Sequence, residues 1–497
     1  MIPARTTRCT AALAAILLST AAFTAHAQDR ASRGAAGPAS NLSCFLGRPT
    51  DRSIALSVLA ASELTAWAEY GVNPGTYTEK TDVRAVQPNV PCEFEITALT
   101  PNTRYYYRLL IRTPGKNDFT PEPEATFHTQ RAPGSTFTFA LQGDSHPERD
   151  GKMFSPELYW LTMRNAAKDP PDFYLTLGDD FSIERLISRK ALSQANVDQV
   201  YAYQRSFLGV VGRSSPLFLV NGNHEQAARY LLDDTADNAA VLAGLARTCL
   251  YPLPAPDAFY TGDAEEVKHV GLLRDYYAWT WGDALFVVID PYWHSAVPVD
   301  DEAGGRQRDK NGNTDGGKKR DLWEVTLGET QYRWFTRTLT ESKARWKFVF
   351  CHHVLGTGRG GIERAGLYEW GGKNERGVSM FAEKRPGWEL PIHQLMVKTG
   401  VTIFFQGHDH LYARQELDGI VYQSCPNPAD DTYQAFNRDA YRSGDVLPNS
   451  GHLRVTVSPE KVTVDYVRSW LPKDENTQHK NNEVSYSYTI PAQGKTK

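Results

Sequence analysis

Residues 137–146 read Phe-Thr-Phe-Ala-Leu-Gln-Gly-Asp-Ser-His. The apolar run Phe137 to Leu141 is a strand, and it ends in a glycine, a carboxylate (Asp144) and an imidazole (His146). The same grammar returns four times. Phe173 to Leu177 precedes Gly178-Asp179-Asp180, and Leu217 to Val220 precedes Gly222-Asn223-His224-Glu225. Trp346 to Phe350 leads into His352-His353, and Val401 to Phe405 into Gly407-His408-Asp409-His410. Between these strands lie helix-period stretches, Phe154 to Ala167 and Leu327 to Leu339, the latter with Gln331 and Trp334 at helical spacing. Strands alternating with helices predict an α/β domain, whose functional loops sit at the carboxyl ends of its strands. Ala284 to Ile289 is a further strand, ending at Asp290, and Ile420 to Tyr422, Leu453 to Val457 and Val462 to Val467 read as closing strands. There is no internal repeat.

A lone Asp-x-His or Gly-Asp is common and mostly structural, whereas Gly-Asn-His-Glu and Gly-His-Asp-His are moderately specific. The ordered succession of all five, each at a strand end, is what points to chemistry. An aspartate at a strand end holds one hard metal ion, and a second, Asp179, has two oxygens with which to bridge a pair. Asn223 adds a neutral carbonyl oxygen. Histidines complete each shell with nitrogen donors, as suits Zn, Fe, Mn or Co. Two ions about 3.5–4 Å apart clamp a phosphoryl group, polarise its oxygens and bring a bound water near neutrality in pKa, so that metal-bound hydroxide attacks phosphorus. His224 follows Asn223 directly and cannot easily ligate the same ion. It suits a general acid for the leaving oxygen, with Glu225 or Asp180 to orient it. Gly143, Gly178, Gly222 and Gly407 let the backbone come close and take positive φ.

Upstream, residues 41–131 read as all-β. Ser53 to Leu59, Leu64 to Tyr70, Glu93 to Ile96, Tyr105 to Ile111 and Ala125 to Thr129 are short strands separated by Asn73-Pro74-Gly75, Pro88-Asn89, Pro101-Asn102 and Pro114-Gly115. This spacing predicts a β-sandwich. Ala132 to Ser135 is a linker, the α/β domain spans 135–470, and 471–497 is a C-terminal tail. At the other end, Arg5 and Arg8 precede the apolar run Ala11 to Ala22 and an Ala25-His26-Ala27 cleavage site, which is the pattern of a secretory signal peptide over residues 1–27. The run is too short to span a bilayer comfortably. Residues 28–40 are small and polar and read as a disordered leader. The expected product is exported, periplasmic or secreted, without a membrane span.

Removing residues 1–27 takes away two arginines and no acid, so the net charge of −4 becomes about −6. A mildly acidic chain has no bulk attraction to nucleic acid or anionic membrane, so any phosphate must be held locally. Five cysteines remain: Cys44, Cys92, Cys249, Cys351 and Cys425. Cys44 and Cys92 share the N-terminal segment and could pair, the odd count leaves a free thiol, and Cys351 reads as a buried strand-end cysteine. Two insertions interrupt the α/β pattern. Residues 226–275 are partly helical, broken at Leu253-Pro-Ala-Pro256. Residues 296–321 are polar and Gly-rich. Within the second, Asp309, Asn311, Asn313 and Asp315 alternate as in a calcium loop, but the glycine and distal glutamate of an EF-hand are not in place, so a solvated loop is the better reading.

With these blocks in hand, the chain resembles the calcineurin-like metallophosphoesterases. Leu99-Thr-Pro-Asn-Thr-Arg-Tyr105 resembles the tyrosine corner of a fibronectin type III module, and that N-terminal module resembles the arrangement in purple acid phosphatases. Tyr276-Tyr277-Ala-Trp-Thr-Trp-Gly282 and Leu327-Gly328-x-x-Gln331-x-x-Trp334 fit as well. The resemblance implies an all-β sandwich followed by an α/β domain with a β-sandwich core flanked by helices. It implies two metal ions, Fe, Mn or Zn. One takes Asp144, His146, Asp179 and His410; the other takes Asp179, Asn223, His352 and His408. His224 matches the acid. His352 is chosen over its neighbour by its distance from Trp346, which leaves His353 to support a ligand or touch substrate. Purple acid phosphatases carry a tyrosine three residues after the bridging aspartate, and here that position is Ser182. His146 stands where many non-purple relatives have a ligand, which implies a site without the purple chromophore. Arg359, in Gly356-Thr-Gly-Arg-Gly-Gly361, and Arg364 are candidates for a phosphate contact.

The reading is therefore an exported dinuclear phosphatase for small phosphomonoesters, with Asp179 and His224 carrying catalysis. The runner-up is a phosphodiesterase on the same metals, since Asp-x-His occurs in diesterases too. A surface-binding protein with an inactive metal domain is a remote third, because a decayed site normally loses ligands and this one has kept them.

Overall fold

The computed structural model describes residues 42–297, 299, 321–354 and 358–492. The signal peptide, the leader and the Asp309–Asp315 pattern lie outside these residues.

Two large mixed sheets face one another. The first has nine strands in the order Val484–Pro491, Lys461–Val467, His452–Val457, Phe137–Gln142, Tyr174–Thr176, Leu217–Leu219, Leu42–Gly47, Ile54–Ala60, Cys92–Ile96. The second has eight, and its centre is Ala284–Val288, Trp346–Phe350, Ile403–Gln406 and Ile420–Ser424. The strands that precede the five blocks pair in parallel within their sheets. Alternation decides the faces. Phe137, Phe139, Leu141, Phe173, Leu175 and Phe218 point inward and meet Trp279, Phe286, Phe348, Phe350 and Phe405 of the opposite sheet. Phe218 stacks on Trp279 at 4.1 Å, and Phe139 meets Phe286 edge-on at 5.2 Å. The outward residues, among them Ala140, Tyr174, Val287, Val349 and Phe404, pack against flanking helices such as Pro156–Lys168, Gln194–Gly212, Gly328–Glu341 and Ile392–Thr399. This is the β-sandwich core flanked by helices that the sequence implied.

The N-terminal sandwich is present too. A six-stranded sheet built around Leu64–Gly71 and Arg104–Arg112 covers a core of Leu56, Val58, Phe94, Ala66, Leu109 and Phe127. The Tyr105 hydroxyl accepts the Thr100 N–H at 2.9 Å, so the tyrosine does bond back to the chain. Its partner sheet is not separate, however. Leu42–Gly47, Ile54–Ala60 and Cys92–Ile96 extend the nine-stranded sheet, joined to it by the parallel pair Gly47↔Leu217.

Two readings need correction, and one element was missed. Cys44 and Cys92 both register against Val58 from opposite sides, with the strand Ile54–Ala60 between them. Two strand spacings are about 9.5 Å, beyond the roughly 7 Å a disulfide tolerates, and both thiols are free. The C-terminal tail contains the strand Val484–Pro491, whose Tyr486, Tyr488 and Ile490 pack against the aromatic core. The helix Gln194–Gly212 was not foreseen, because Gln204 and Arg205 interrupt its apolar stripe although both are buried.

Arg205 explains why that helix sits where it does. Its guanidinium donates to the hydroxyls of Ser43 (2.9 Å) and Ser57 (3.2 Å) and to the carbonyl of Leu250, and it lies 4.2 Å from the centre of the Phe45 ring. One side chain thus ties the α/β half to the first two strands. Burial pushes its pKa down to about 10, still charged at neutral pH. Arg205→Ala leaves a cavity and orphans buried acceptors, and is expected to lower stability by about 3–5 kcal/mol. Unfolding midpoints in denaturant are the check, and a midpoint equal to wild type would show that the two halves are joined elsewhere.

Candidate metal centre

The parallel strands of both sheets deliver their blocks to one rim. His352 Nδ1 donates to the carbonyl of Leu177 in the facing sheet at 2.6 Å, and the His408 N–H donates to Asp144 Oδ1 at 2.7 Å. The first bond turns the other nitrogen of His352, Nε2, into the site as a lone-pair donor.

Asp179 stands at the middle. Its Oδ2 is 3.1 Å from His352 Nε2 and 3.6 Å from His146 Nε2, and its Oδ1 accepts the His224 N–H at 2.9 Å. On one side Asp144, His146 and His410 bring donor atoms together, on the other Asp179, His352 and His408 do so, and between them His146, Asp179 and His224 form a third group through which Asp179 meets the first. Asn223 joins the second group, with its Oδ1 3.2 Å from His352 Nε2. Asp144, His146 and His352 are fully buried on the site's floor. Every residue assigned to a metal from sequence lies in one of the two flanking groups, and Asp179 touches both.

These donors fit metal ions, on two observations. First, ring nitrogens face ring nitrogens: His146 Nε2 is 3.0 Å from His410 Nε2, and His408 Nδ1 is 3.2 Å from His352 Nε2. Two ligands that each stand about 2.1 Å from one ion lie about 3.0 Å apart at a right angle and about 3.4 Å apart at the tetrahedral angle, close to both separations. Second, Asp144 Oδ2 is buried without a hydrogen-bond partner, 3.0 Å from His410 Nε2. Burial alone would raise the Asp144 pKa, but His352 and His410 outweigh it and hold the carboxyl well below its usual range.

The backbone is bent to this purpose. His146, Asp179, His408 and His410 all take positive φ (49°, 58°, 68° and 50°). That conformation costs a non-glycine residue about 1 kcal/mol or more and persists only where its surroundings over-determine it. Glu225 supplies much of that constraint. Its carboxylate accepts the N–H groups of Asp179 (3.0 Å), Asp180 (2.8 Å), Phe181 (2.9 Å) and Gly222 (2.6 Å). Among the block glycines only Gly178 takes positive φ, whereas Gly222 and Gly407 serve close approach. A Cβ at either would stand 2.2 Å from Asp179 Oδ1 or 2.4 Å from Asp144 Oδ1.

Glu225 is therefore committed to the loop and does not orient His224. Nor does Asp180, whose Oδ1 accepts from Ser145 (2.6 Å) and Gln142 (3.1 Å) and whose pKa burial pushes up to about 8. The partner is Glu184, unforeseen from sequence, with Oε2 3.0 Å from His224 Nδ1. Burial works against the charged imidazole, but Asp179 and Glu184 outweigh it and push the His224 pKa up to about 10. Arg149 was also unforeseen, and its Nη2 is 3.2 Å from His224 Nε2. Both residues sit outside the blocks, and only folding brings them near. The other substrate candidates are placed differently. His353 is buried, its ring 4.7 Å from that of His408 and 5.9 Å from that of Tyr292. The Arg359 guanidinium turns back onto the His408 carbonyl and lies 3.5 Å from Asp409 Oδ1.

Compared with known proteins, residues 137–412 match the family model of the calcineurin-like phosphoesterases. Among solved structures, PhoD superposes with a TM-score of 0.60 at 16% identity, covering 92% of each chain. Purple acid phosphatase PPD1 from yellow lupin (Lupinus luteus) seeds gives 0.53 at 16% identity, over 90% of this chain and 74% of that one. At such identities the likeness is one of fold. No curated protein matches by sequence.

Proposed function

We propose, since the chain belongs to the calcineurin-like phosphoesterase family, that it is an exported phosphatase that hydrolyses small phosphomonoesters at a dinuclear metal centre. Membership implies a metal-dependent phosphoester hydrolase; the monoester preference, the export and the residue roles are our reading. The observation that carries it is the sharing of Asp179 between two donor groups, with the His224–Glu184 pair beside it.

Asp144, His146, Asp179 and His410 would hold one ion, and Asp179, Asn223, His352 and His408 the other. Fe, Mn and Zn all suit this mixture of imidazole and oxygen donors. Such ions polarise the phosphoryl oxygens and lower the pKa of the attacking water. The chain's own part is then to place substrate and move one proton. His224 lies on the solvent side of Asp179, and its Nε2 is the atom from which a proton passes to the leaving oxygen. Glu184 places its carboxylate 3.0 Å from the other ring nitrogen, an ion pair that favours the charged ring. His353 buttresses His408. The signal-peptide pattern of residues 1–27 supports a periplasmic or secreted product that scavenges phosphate. No helix among the described residues is long and apolar enough to cross a membrane.

The test is hydrolysis of p-nitrophenyl phosphate against bis-p-nitrophenyl phosphate, with metal content and the visible spectrum recorded on the same sample. Preference for the monoester, two bound metals and no purple band are expected. Preference for the diester would move the protein to the phosphodiesterases. A purple band would overturn the reading of Ser182, which is buried beside the site and has no phenolate to give.

A further inference from the structure

We propose that Arg149 grips the substrate's phosphoryl group on the leaving-group side and thereby sets the preference for monoesters. The inference rests on the hydrolytic reading above.

Arg149 ends the short turn Pro147–Arg149 that follows His146. Its Nε is 3.3 Å from Glu148 Oε1, the same oxygen that lies 2.9 Å from His146 Nδ1. Its Nη1 donates to the Met153 sulfur at 3.2 Å, and its Nη2 lies 3.2 Å from His224 Nε2. A guanidinium has five N–H donors in a planar fork. Here they meet half of one shared carboxylate, a thioether that accepts weakly, and an imidazole nitrogen that has no lone pair to offer while it carries the acid's proton. That is poor provision for a charge near a catalytic centre.

Exposure says where the missing acceptors come from. The floor of the site is closed, but the side chains of His224 and Arg149 are 14% and 28% exposed. Solvent therefore touches this pair, while Asp144, His146 and His352 are closed off. Three other arginines of the described residues are spent elsewhere. Arg359 is turned onto His408 and Asp409, and Arg205 and Arg247 are buried against hydroxyls and carbonyls.

The oxygens of one phosphate are neighbours. A cation beside the nitrogen that serves the leaving oxygen is also beside a non-bridging oxygen of the same phosphorus. A guanidinium matches two such oxygens at once, which an ammonium does not. A monoester offers a second negative charge there. In a diester that charge is lost to the second ester arm, which would meet the Arg149 fork without an anion to bind.

The experiment uses the metal-loaded, full-length protein with Arg149→Gln and Arg149→Lys. It records kcat and KM for both nitrophenyl esters, calorimetric binding of inorganic phosphate, and bound metal. Arg149→Gln is expected to lose about 10- to 100-fold in kcat/KM on p-nitrophenyl phosphate while the diester changes by less than about threefold. Phosphate binding should weaken alongside, metal content should hold, and Arg149→Lys should fall between. Equal loss on both esters with phosphate binding unchanged would mean that Arg149 only props His224, and loss of metal would mean that it only supports His146; either overturns the proposal. A wild-type enzyme that prefers the diester overturns the monoester reading and this inference together. Parallel losses in a wild type that prefers the monoester overturn Arg149 alone.

Discussion

Asp179→Ala is expected to abolish hydrolysis, a loss of at least about 1,000-fold in kcat/KM, and to strip the protein of both metal ions. The reason is geometric. Asp179 stands 3.6 Å from His146 on one side and 3.1 Å from His352 on the other, and it groups with donors on both sides. Removing it deletes a ligand from two shells at once and the negative charge between them. Alanine must also adopt the left-handed backbone of residue 179, at a cost of about 1–2 kcal/mol. Asp179→Asn is the companion variant, since asparagine tolerates that conformation and keeps an oxygen but not the charge. Metal analysis with circular dichroism on the same samples separates an empty site from an unfolded chain. A folded Asp179→Ala protein that keeps two metals and its activity would refute the bridging role.

The second large effect is selective. His224→Ala should slow substrates with poor leaving groups, such as alkyl phosphates, by about 100- to 10,000-fold, the usual range for a positioned acid. Nitrophenolate leaves without help, so p-nitrophenyl phosphate should suffer far less. The side chain is no metal donor in this reading, so metal content should be retained. Glu184→Gln should act in the same direction and more weakly, because the ring keeps its place but loses the carboxylate on Nδ1. Equal losses on alkyl and nitrophenyl esters would count against proton donation and assign His224 to binding.

What could be read from the chain, and what could not, divides along physical lines. The five blocks were legible because a parallel strand hands its next residues directly to the site, so motif and geometry coincide at Asp144, Asp179, Asn223, His352 and His408. Arg149 and Glu184 carry no such signal. They act on His224 across a gap that only folding closes, and in sequence they are two charged residues among many. Glu225 misled for the opposite reason. Adjacent to His224 in the chain, it is turned inward to hold four backbone N–H groups. The helix Gln194–Gly212 was hidden because its buried face carries Gln204 and Arg205, which satisfy polar partners rather than pack as apolar residues. The strand Val484–Pro491 alternates plainly, Ser485, Ser487 and Thr489 against Tyr486, Tyr488 and Ile490, yet its position at the chain end invited the reading of a tail.

The shared nine-stranded sheet has a bearing on where the chain can be divided. A domain can be cut free when it keeps a hydrophobic core and a finished surface of its own. Here a cut near residue 131 would carry off three strands, leave Leu217–Leu219 as a raw edge and uncover the guanidinium of Arg205. Neither fragment would be a finished object. The two parts are therefore expected to fold and unfold as one cooperative unit, not as separable modules.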